Sequence, residues 1–311
     1  MEVTFLGTGA SWPTKERGMS ALIIKRGGDA VLFDCGEGTQ RQLQHSDVSY
    51  QAISQVYLTH YHGDHCYGLP GLIKTMALNE REKPLDVYGP KGLLKMVDAW
   101  KRMGGWTHKF PIAVHELQAG DVIDRGDYTI TAYQGDHSVH NLAFALQEPD
   151  RPGKFDKPKA LELGVKPGPA FGKLQKGIAV ELEDGTTITP DQILGPSRPG
   201  RRVVFSGDSQ PCDGLMDAAR DACVFICEAS FTKDLIERAR EVKHMCAFEA
   251  AGIAANTGVW KLILTHISPR YKDPNEVLDE AKYVFENTEI AHDLWSFTVP
   301  YPGNRSETDS G

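Results

Sequence analysis

Short apolar runs recur along the chain, and each of them ends in a polar or glycine-rich turn. Runs of 3–6 residues bounded in this way predict β-strands, here over residues 30–33, 56–58, 128–133, 203–205, 224–226 and 262–264. Spacing typical of helices lies between some of them, over residues 215–220, 231–242, 244–256 and 274–285. Hairpins early in the chain and helix–strand alternation late in the chain predict an α/β layered fold, with chemistry gathered at strand ends.

One stretch interrupts this pattern. Residues 148–176 hold nine glycines and prolines among 29 residues, with seven basic and four acidic side chains. Long irregular segments within a compact domain are typically functional loops. We therefore predict a flexible, protruding arm of local charge +3, inserted in a single domain that spans residues 1–311. The polar tail, residues 301–311, is expected to fray.

The chain as a whole is acidic. Its 34 basic and 42 acidic residues give a net charge of −8, so attraction of a polyanion would depend on local basic segments. No apolar run approaches the ~18 residues of a membrane span, and the N-terminus lacks a basic signal-peptide region. We therefore expect a cytoplasmic protein that has no membrane partner. The six cysteines show no metal-binding spacing and are expected to be reduced thiols.

The strongest chemical signal is the H-x-H-x-D-H cluster at residues 60–65, which directly follows an apolar strand-like run. Alternate residues of an extended segment point the same way, so His60 and His62 can share one metal ion. Gly63 allows a sharp turn, after which Asp64 and His65 point toward a second centre. Such a group is costly to bury without a cation. Imidazole and carboxylate together favour zinc, with manganese or iron as alternatives.

Three further donors follow strand-like runs in the same way: His137, Asp208 and His266. Taken singly, each would more often be a hydrogen-bonded structural residue, but together they complete a dinuclear site. Asp208 is the natural bridging ligand, because a carboxylate offers two oxygens to metals ~3.5–4 Å apart. His137 would complete the centre begun by His60 and His62, and His266 would complete the centre begun by Asp64 and His65. His140 is the alternative to His137.

A glycine-rich motif near the N-terminus could indicate a nucleotide-binding site. Gly7-Thr8-Gly9 is similar to the start of a dinucleotide-binding fingerprint, but Trp12 stands where the third glycine would be. We therefore expect no nucleotide cofactor.

Several motifs together carry a resemblance to a known family. They are FLGTG at residues 5–9, DCGEGTQ at 34–40, SGDS at 206–209 and LTHISPRY at 264–271, with GKF at 153–155 and GVKPGP at 164–169. With the histidine cluster, the chain resembles the metallo-β-lactamase superfamily and, within it, the short form of ribonuclease Z. Members of that family are endonucleases that remove 3′ trailers from precursor tRNA. The resemblance covers nearly the whole chain, to about Tyr271.

The resemblance implies an αββα sandwich that holds two zinc ions per subunit. The family's ligands to the first zinc match His60, His62, His137 and the bridging Asp208. Its ligands to the second zinc match Asp64, His65, His266 and, again, Asp208. Asp64 also matches the family's proton acceptor. His244 matches its catalytic histidine and Glu228 a supporting carboxylate, although the residues alone leave His244 equally open to a helix-start role without catalysis.

The resemblance also implies a substrate and an assembly. Precursor tRNA would be cut to leave a 3′ hydroxyl on the tRNA and a 5′ phosphate on the trailer. The arm would bind RNA through its basic residues, foremost Lys154, Lys157, Lys159 and Lys166. In short-form enzymes the arm of one subunit serves the active site of the other, which implies a homodimer.

Three alternatives remain open at the level of sequence. A small-substrate hydrolase of the same fold, such as a thioesterase, lactonase or cyclic-nucleotide phosphodiesterase, would share the ligands but need no basic arm. A non-catalytic RNA-binding scaffold would keep the arm and tolerate the loss of ligands, yet all seven ligand positions are filled. The arm lysines could also be incidental to a solvated loop, and the role of a second basic cluster at residues 197–202 is open.

Overall fold

The structure, a computed structural model, describes residues 1–104 and 109–303. Its strands are β1 (Glu2–Gly7), β2 (Ala21–Arg26), β3 (Asp29–Phe33), β4 (Ile53–Tyr57), β5 (Leu85–Pro90), β6 (Ile112–Leu117), β7 (Val122–Asp124), β8 (Thr129–Gln134), β9 (Leu142–Gln147), β10 (Val180–Glu181), β11 (Thr187–Ile188), β12 (Arg202–Phe205), β13 (Val224–Glu228), β14 (Lys261–Thr265), β15 (Thr288–Ile290) and β16 (Ser296–Thr298).

The α-helices are α1 (Thr39–His45), α2 (Gly63–Cys66), α3 (Gly68–Leu78), α4 (Leu93–Gly104), α5 (Lys157–Glu162), α6 (Pro169–Gln175), α7 (Asp213–Ala219), α8 (Ile236–Val242), α9 (Ala247–Asn256) and α10 (Asn275–Val284). Short 3₁₀ turns lie at Tyr50–Ala52, Pro190–Gln192 and Lys233–Leu235.

Two seven-stranded sheets form the centre of the fold. The strand order is β16-β1-β2-β3-β4-β5-β6 in the first sheet and β15-β14-β13-β12-β9-β8-β7 in the second. In the first sheet β1, β2 and β3 pair antiparallel, and the strands from β3 to β6 pair parallel. In the second, β7, β8, β9 and β12 pair antiparallel, and the strands from β12 to β15 pair parallel.

Three apolar clusters hold these layers together. The first lies between the sheets, where Phe33 of the first sheet contacts Phe144 and Phe205 of the second at centroid distances of 6.0 and 6.2 Å. The second joins the outer face of the second sheet to α7, α9 and α10, and the third joins the outer face of the first sheet to α1, α3 and α4. Because helices thus cover both outer faces, the architecture is the αββα sandwich that the resemblance implies.

The six predicted strands are confirmed as β3, β4, β8, β12, β13 and β14, and their observed ends differ from the predicted ones by a few residues. The helical patterns correspond to α7, α8, α9 and α10. One boundary matters for function. His244 does not open a helix, because α9 begins at Ala247 with Cys246 as its N-cap. Lys243, in the left-handed conformation with φ 56°, ends α8 just before it.

The chain divides into two compact units. The first unit comprises residues 1–147 and 202–300, and the second comprises residues 148–201 with the chain from Tyr301 onward. The predicted arm, residues 148–176, is therefore only part of a larger structure. That part contains α5 and α6, and the rest contributes the β10–β11 hairpin.

The second unit has its own small apolar core, built from buried residues on both sides of position 176: Ala160, Val165, Leu174, Ile188 and Ile193. Its two ends run side by side as a neck, which we define as residues 148–156 and 193–201. In the neck, Arg151 and Arg198 exchange backbone hydrogen bonds of 2.7 and 2.9 Å. The Arg201 guanidinium donates to both carboxylate oxygens of Glu148, at 2.7 and 2.8 Å.

Tyr301, the first residue of the predicted tail, packs against the neck. The Tyr301 ring lies 3.7 Å from the guanidinium carbon of Arg151 and 4.1 Å from that of Arg201. Residues 304–311, the rest of the predicted tail, lie outside the described residues. Within the described part of the chain, no helix combines the length and apolar character needed to cross a bilayer.

Candidate metal centre and active site

The predicted ligands come from loops that leave the two sheets at one edge. Phe33 pairs with Tyr57 at the ends of β3 and β4, and Glu228 pairs with Thr265 at the ends of β13 and β14. The segments that follow the carboxyl ends of these parallel strands therefore lie next to one another. These loops and the short helix α2, which follows β4, carry the acidic and imidazole side chains, and the loop between β8 and β9 adds His137.

Four of the predicted residues form a first group of possible ligands: His60, His62, His137 and Asp208. The Nδ1 atom of His62 lies 3.1 Å from Nε2 of His60 and 3.2 Å from Nε2 of His137. Nε2 of His60 is 3.7 Å from Oδ2 of Asp208. His140, the alternative to His137, is exposed and belongs to none of the ligand groups found among the described residues.

A second group consists of Asp64, His65 and His266. The Nε2 atoms of the two histidines are 3.2 Å apart, and Oδ2 of Asp64 is 3.5 Å from Nε2 of His266. Asp208 reaches this group as well. Its Oδ2 lies 3.2 Å from Nε2 of His65, and its Oδ1 lies 3.4 Å from Nε2 of His266. The structure thus places Asp208 between the two groups.

The outer nitrogen of four histidines is held by a protein oxygen. Nδ1 lies 3.0 Å from Thr59 Oγ1 in His60, 2.7 Å from Asp34 Oδ2 in His65, 2.9 Å from the Lys243 carbonyl oxygen in His137, and 2.9 Å from Ser230 Oγ in His266. Such contacts fix the ring and its tautomer, so that Nε2 faces the centre as an acceptor.

The spacing of the inner atoms fits bound cations. Tetrahedral zinc with bonds of ~2.0–2.1 Å places its ligand atoms about 3.3–3.4 Å apart, and the inner nitrogens here lie 3.1–3.2 Å from one another. Two acceptor nitrogens this close repel each other unless a proton or a metal lies between them. Among the described residues, Oδ1 of Asp208 is also buried without a hydrogen-bond partner.

The electrostatics of the centre favour a positive charge. Burial lowers the pKa of His60 well below its usual value and keeps this ring neutral. Burial alone would also lower the pKa of His65, but the carboxylates of Asp208 and Asp34 raise it well above its usual value. For Asp208, burial would raise the pKa, whereas His266 and His65 hold it well below its usual value. The carboxylates thus draw a positive charge into the centre, and a bound metal cation would supply that charge in place of the proton on His65, because a metal ligand must be deprotonated.

His244 lies beside this centre and is bound to an acid. Its Nδ1 is 3.0 Å from each carboxylate oxygen of Glu228 and 4.0 Å from Oδ2 of Asp208. Burial alone would lower the pKa of His244, but the charge and hydrogen bond of Glu228 raise it to about 9. Asp208, His244 and His266 are close enough to form a third possible ligand group. Because Glu228 occupies Nδ1, only Nε2 of His244 remains for a metal or a substrate.

Comparison with known proteins supplies the family. A ribonuclease Z of Methanosarcina acetivorans is 44% identical over 302 residues, which is 97% of this chain and 99% of the relative. A ribonuclease Z of Haloferax volcanii is 42% identical over 314 residues, with 100% and 98% of the two chains covered. The chain belongs to the ribonuclease Z family. A sequence-family profile described as "Anti-Pycsar protein Apyc1" also matches residues 1–146.

Solved structures agree with this membership in the ribonuclease Z family. Human tRNase Z, short form, superposes with a TM-score of 0.71 at 27% identity, covering 96% of this chain and 100% of that one. The metallo-β-lactamase fold protein YhfI of Bacillus subtilis gives a TM-score of 0.69 at 21% identity, covering 95% and 98% of the two chains. The second likeness concerns the fold alone.

The lysines predicted to bind RNA in this ribonuclease Z family member lie in the second unit and are all exposed: Lys154, Lys157, Lys159 and Lys166. Lys154 and Lys159 line one cavity of about 380 Å³. Lys166 instead forms an ion pair of 2.9 Å with Glu183. Residues 148–201 hold nine basic and eight acidic side chains, so the compact unit carries +1 rather than the +3 of residues 148–176. The hairpin beyond Lys176 supplies most of the additional acid.

Sequence reasoning assigned no role to several residues that shape the site. Asp34 is fully buried, holds His65, and also accepts hydrogen bonds from the Thr59 amide and hydroxyl at 2.8 and 3.0 Å. Ser230 contacts His266 and donates to Glu228 at 2.7 Å. A signal for Asp34 was present in the sequence, because it follows a strand in the same way as Asp208 does. Ser230 had no such signal.

Proposed function

We propose that the chain is a cytoplasmic, zinc-dependent endoribonuclease. It removes the 3′ trailer of precursor tRNA and leaves a 3′ hydroxyl on the tRNA and a 5′ phosphate on the trailer. The observation that carries this proposal is the 42–44% identity over nearly the whole chain to relatives named ribonuclease Z. The arrangement of histidines and carboxylates supports it, since phosphodiester hydrolysis needs a positively charged site and an activated water.

Two zinc ions would be held by the residues predicted for them. His60, His62 and His137 would hold the first, Asp64, His65 and His266 the second, and Asp208 would bind both. Zinc bound there would lower the pKa of a water nucleophile to about 7 and offset the charge of the phosphoryl oxygens.

Asp64 would orient the attacking water and accept its proton. Burial by itself would raise the pKa of this carboxyl, but its hydrogen bond to His266 and the charge of His65 lower it, so the group is ionised and able to accept. The amide of Ser11 donates to Oδ2 of Asp64 at 2.9 Å and fixes the direction of the carboxylate. Geometry of this kind is the first requirement for a general base.

His244 would protonate the leaving 3′ oxygen. Nδ1–H of His244 donates a hydrogen bond to Glu228, which leaves an Nε2–H for the substrate when the ring is protonated. Glu228 is itself fixed by the Ser209 amide at 2.6 Å and by the Ser230 hydroxyl at 2.7 Å. With its carboxylate held from both sides, Glu228 can set the orientation and the charge of the imidazole.

RNA would be bound by the second unit through phosphate contacts from Lys154, Lys157, Lys159 and Lys166. A-form RNA offers backbone and shape rather than accessible base edges, which suits lysines on a separate compact unit. We further propose a homodimer in which the second unit of one subunit serves the active site of the other.

The test compares a 3′-extended precursor tRNA with an unstructured RNA of equal length. The wild-type protein should cut the precursor at one position, and the released trailer should be a substrate for a 5′-phosphate-dependent exonuclease. Asp208→Ala should lose most bound zinc by elemental analysis and nearly all cleavage. Asp217→Ala, which removes an exposed acid of α7 that pairs with Arg220, is the control. Two zinc ions retained by Asp208→Ala, or equal cutting of both RNAs, would contradict the proposal.

A further inference from the structure

The loop that joins β1 to β2 is fixed against the active site by backbone contacts. The amide of Ile267 donates to the Thr8 carbonyl at 2.9 Å, and the amide of Gly9 donates to the Gly18 carbonyl, also at 2.9 Å. A Cβ atom on Gly7 would lie 1.9 Å from the Met19 carbonyl oxygen, so only glycine fits there. The Gly7-Thr8-Gly9 motif thus serves close packing of this loop beside the site.

At Ser11 the loop makes a tight turn that is rare for a residue with a side chain. The amide of Trp12 donates to the Ala10 carbonyl at 2.7 Å, and Ser11, at the centre of this three-residue turn, has a φ of 65°. A γ-turn with positive φ is strained and persists where its surroundings impose it. Here the turn directs the Ser11 amide onto Asp64. Trp12, the next residue, is 62% exposed.

A second exposed aromatic residue, Tyr67, lies three positions after Asp64 in the chain. The Tyr67 ring lies so close to Gly63 that an added Cβ there would come within 2.5 Å of its Cε2 atom, yet 64% of Tyr67 is exposed. Aromatic rings of this size are costly to leave in water. Trp12 thus follows the residue whose amide holds Asp64, and Tyr67 packs against the residue that precedes Asp64.

We propose that Trp12 is a stacking platform for a nucleobase next to the scissile phosphate, in the single-stranded 3′ end of the RNA. The inference rests on the proposed function and adds a binding subsite to it. Every base has an aromatic face, so stacking holds a strand without reading its sequence. An enzyme that cuts trailers of differing sequence needs that kind of contact at the cleavage point. The strained Ser11 turn fixes where the Trp12 backbone lies relative to Asp64.

The test starts with Trp12→Ala, Trp12→Phe and, as a matched control, Tyr283→Ala, which removes a 94% exposed ring from α10. Base–aromatic stacking predicts a rise of ~5- to 150-fold in KM for precursor tRNA with Trp12→Ala. Trp12→Phe should recover most of that loss, and Tyr283→Ala should behave as wild type. Zinc content and the unfolding temperature should be unchanged in all three, because the side chains are exposed.

Abasic substrates identify the stacked base. Precursors with one base removed, at each of two positions on either side of the cleavage site, are tested with wild type and Trp12→Ala. At one abasic position, the KM of the wild type should rise about as much as it does in Trp12→Ala with the intact substrate. The KM of Trp12→Ala should rise little further at that same position. Wild-type KM values for Trp12→Ala, or losses that simply add at every position, would overturn the proposal.

Binding of a short single-stranded RNA separates this inference from the proposed function. If the wild type cut no precursor tRNA at all, the proposed function would fail. Weaker binding of the oligonucleotide by Trp12→Ala than by Tyr283→Ala would then still support stacking, and equal binding would overturn it.

Discussion

Nδ1 of His244 lies 3.0 Å from both carboxylate oxygens of the buried Glu228, and His244 also lies close enough to Asp208 and His266 to form a possible ligand group with them. This contact occupies Nδ1 of the ring and leaves Nε2 available to a substrate or a metal ion. Nε2 of His244 can therefore have one of two roles. It can donate a proton to the substrate while Glu228 holds the ring, or it can bind a metal ion together with Asp208 and His266. The two roles predict different zinc contents for the same variant.

His244→Ala should lower the rate of precursor tRNA cleavage by ~10²–10⁴-fold, the usual range for a general acid, with zinc content unchanged. Bis(p-nitrophenyl) phosphate has a good leaving group that needs little protonation, so its hydrolysis should suffer less. His140→Ala, which removes an exposed histidine outside the cluster, is the control. Loss of zinc, or equal losses on both substrates, would remove His244 from the acid role.

Asp34→Asn tests the contact that orients His65. The variant keeps an acceptor for the Thr59 amide but removes the charge opposite Nδ1 of His65. Loss of such a contact typically weakens metal binding by ~10–100-fold, and competition with a chelator measures it. Asp29→Asn is the control. Asp29 lies at the other end of β3, where it accepts a hydrogen bond from the Tyr128 hydroxyl at 2.8 Å, so this variant should leave zinc affinity unchanged. Zinc affinity at the wild-type level in Asp34→Asn would show that His65 is oriented by other contacts.

The sequence was sufficient to predict much of the fold and the members of the cluster, for one physical reason. Each proposed ligand stands just past an apolar run, and strands that run in the same direction bring such positions to one sheet edge. In the structure, His137, Asp208 and His266 accordingly lie close to the cluster at residues 60–65.

What the sequence did not reveal depends on contacts between distant segments. The core of the second unit needs Ile188 and Ile193, so residues 148–176 viewed alone show no periodicity and suggested an irregular arm. The break between α8 and α9, in which His244 lies, follows from the left-handed conformation of Lys243 at the end of α8 and from the N-cap Cys246, which no local pattern indicates. Ser230 is placed by its contacts to His266 and Glu228, 36 and two residues away.

The lysines of the second unit should contribute unequally to RNA binding. Lys166 already pairs with Glu183, whereas Lys154 and Lys159 line one cavity together. Lys154→Ala and Lys159→Ala should each weaken precursor tRNA binding and flatten the slope of log affinity against log salt by about one unit or less. Lys166→Ala should have a smaller effect on both. A larger effect of Lys166→Ala would show that its ion pair opens on RNA binding.

Removal of the second unit tests recognition and the proposed dimer together. Arg151 and Arg198 exchange backbone hydrogen bonds, so residues 152–197 can be replaced there by a short Gly-Ser linker. All proposed ligands lie in the first unit, and hydrolysis of bis(p-nitrophenyl) phosphate should therefore persist while precursor tRNA cleavage collapses. Near wild-type processing by the shortened protein would place recognition elsewhere.

Co-expression of this shortened chain with Asp208→Ala then asks which active site the second unit serves. One partner has a complete metal centre without the second unit, and the other has the second unit with a disabled centre. If the unit acts across the dimer, mixed dimers regain cleavage. Random pairing makes half of the dimers mixed with one working site each, so activity should reach about one quarter of the wild-type value. If the unit serves its own subunit, mixed dimers should cleave precursor tRNA no better than either parent. Differently tagged chains, purified over both tags, separate these two outcomes directly.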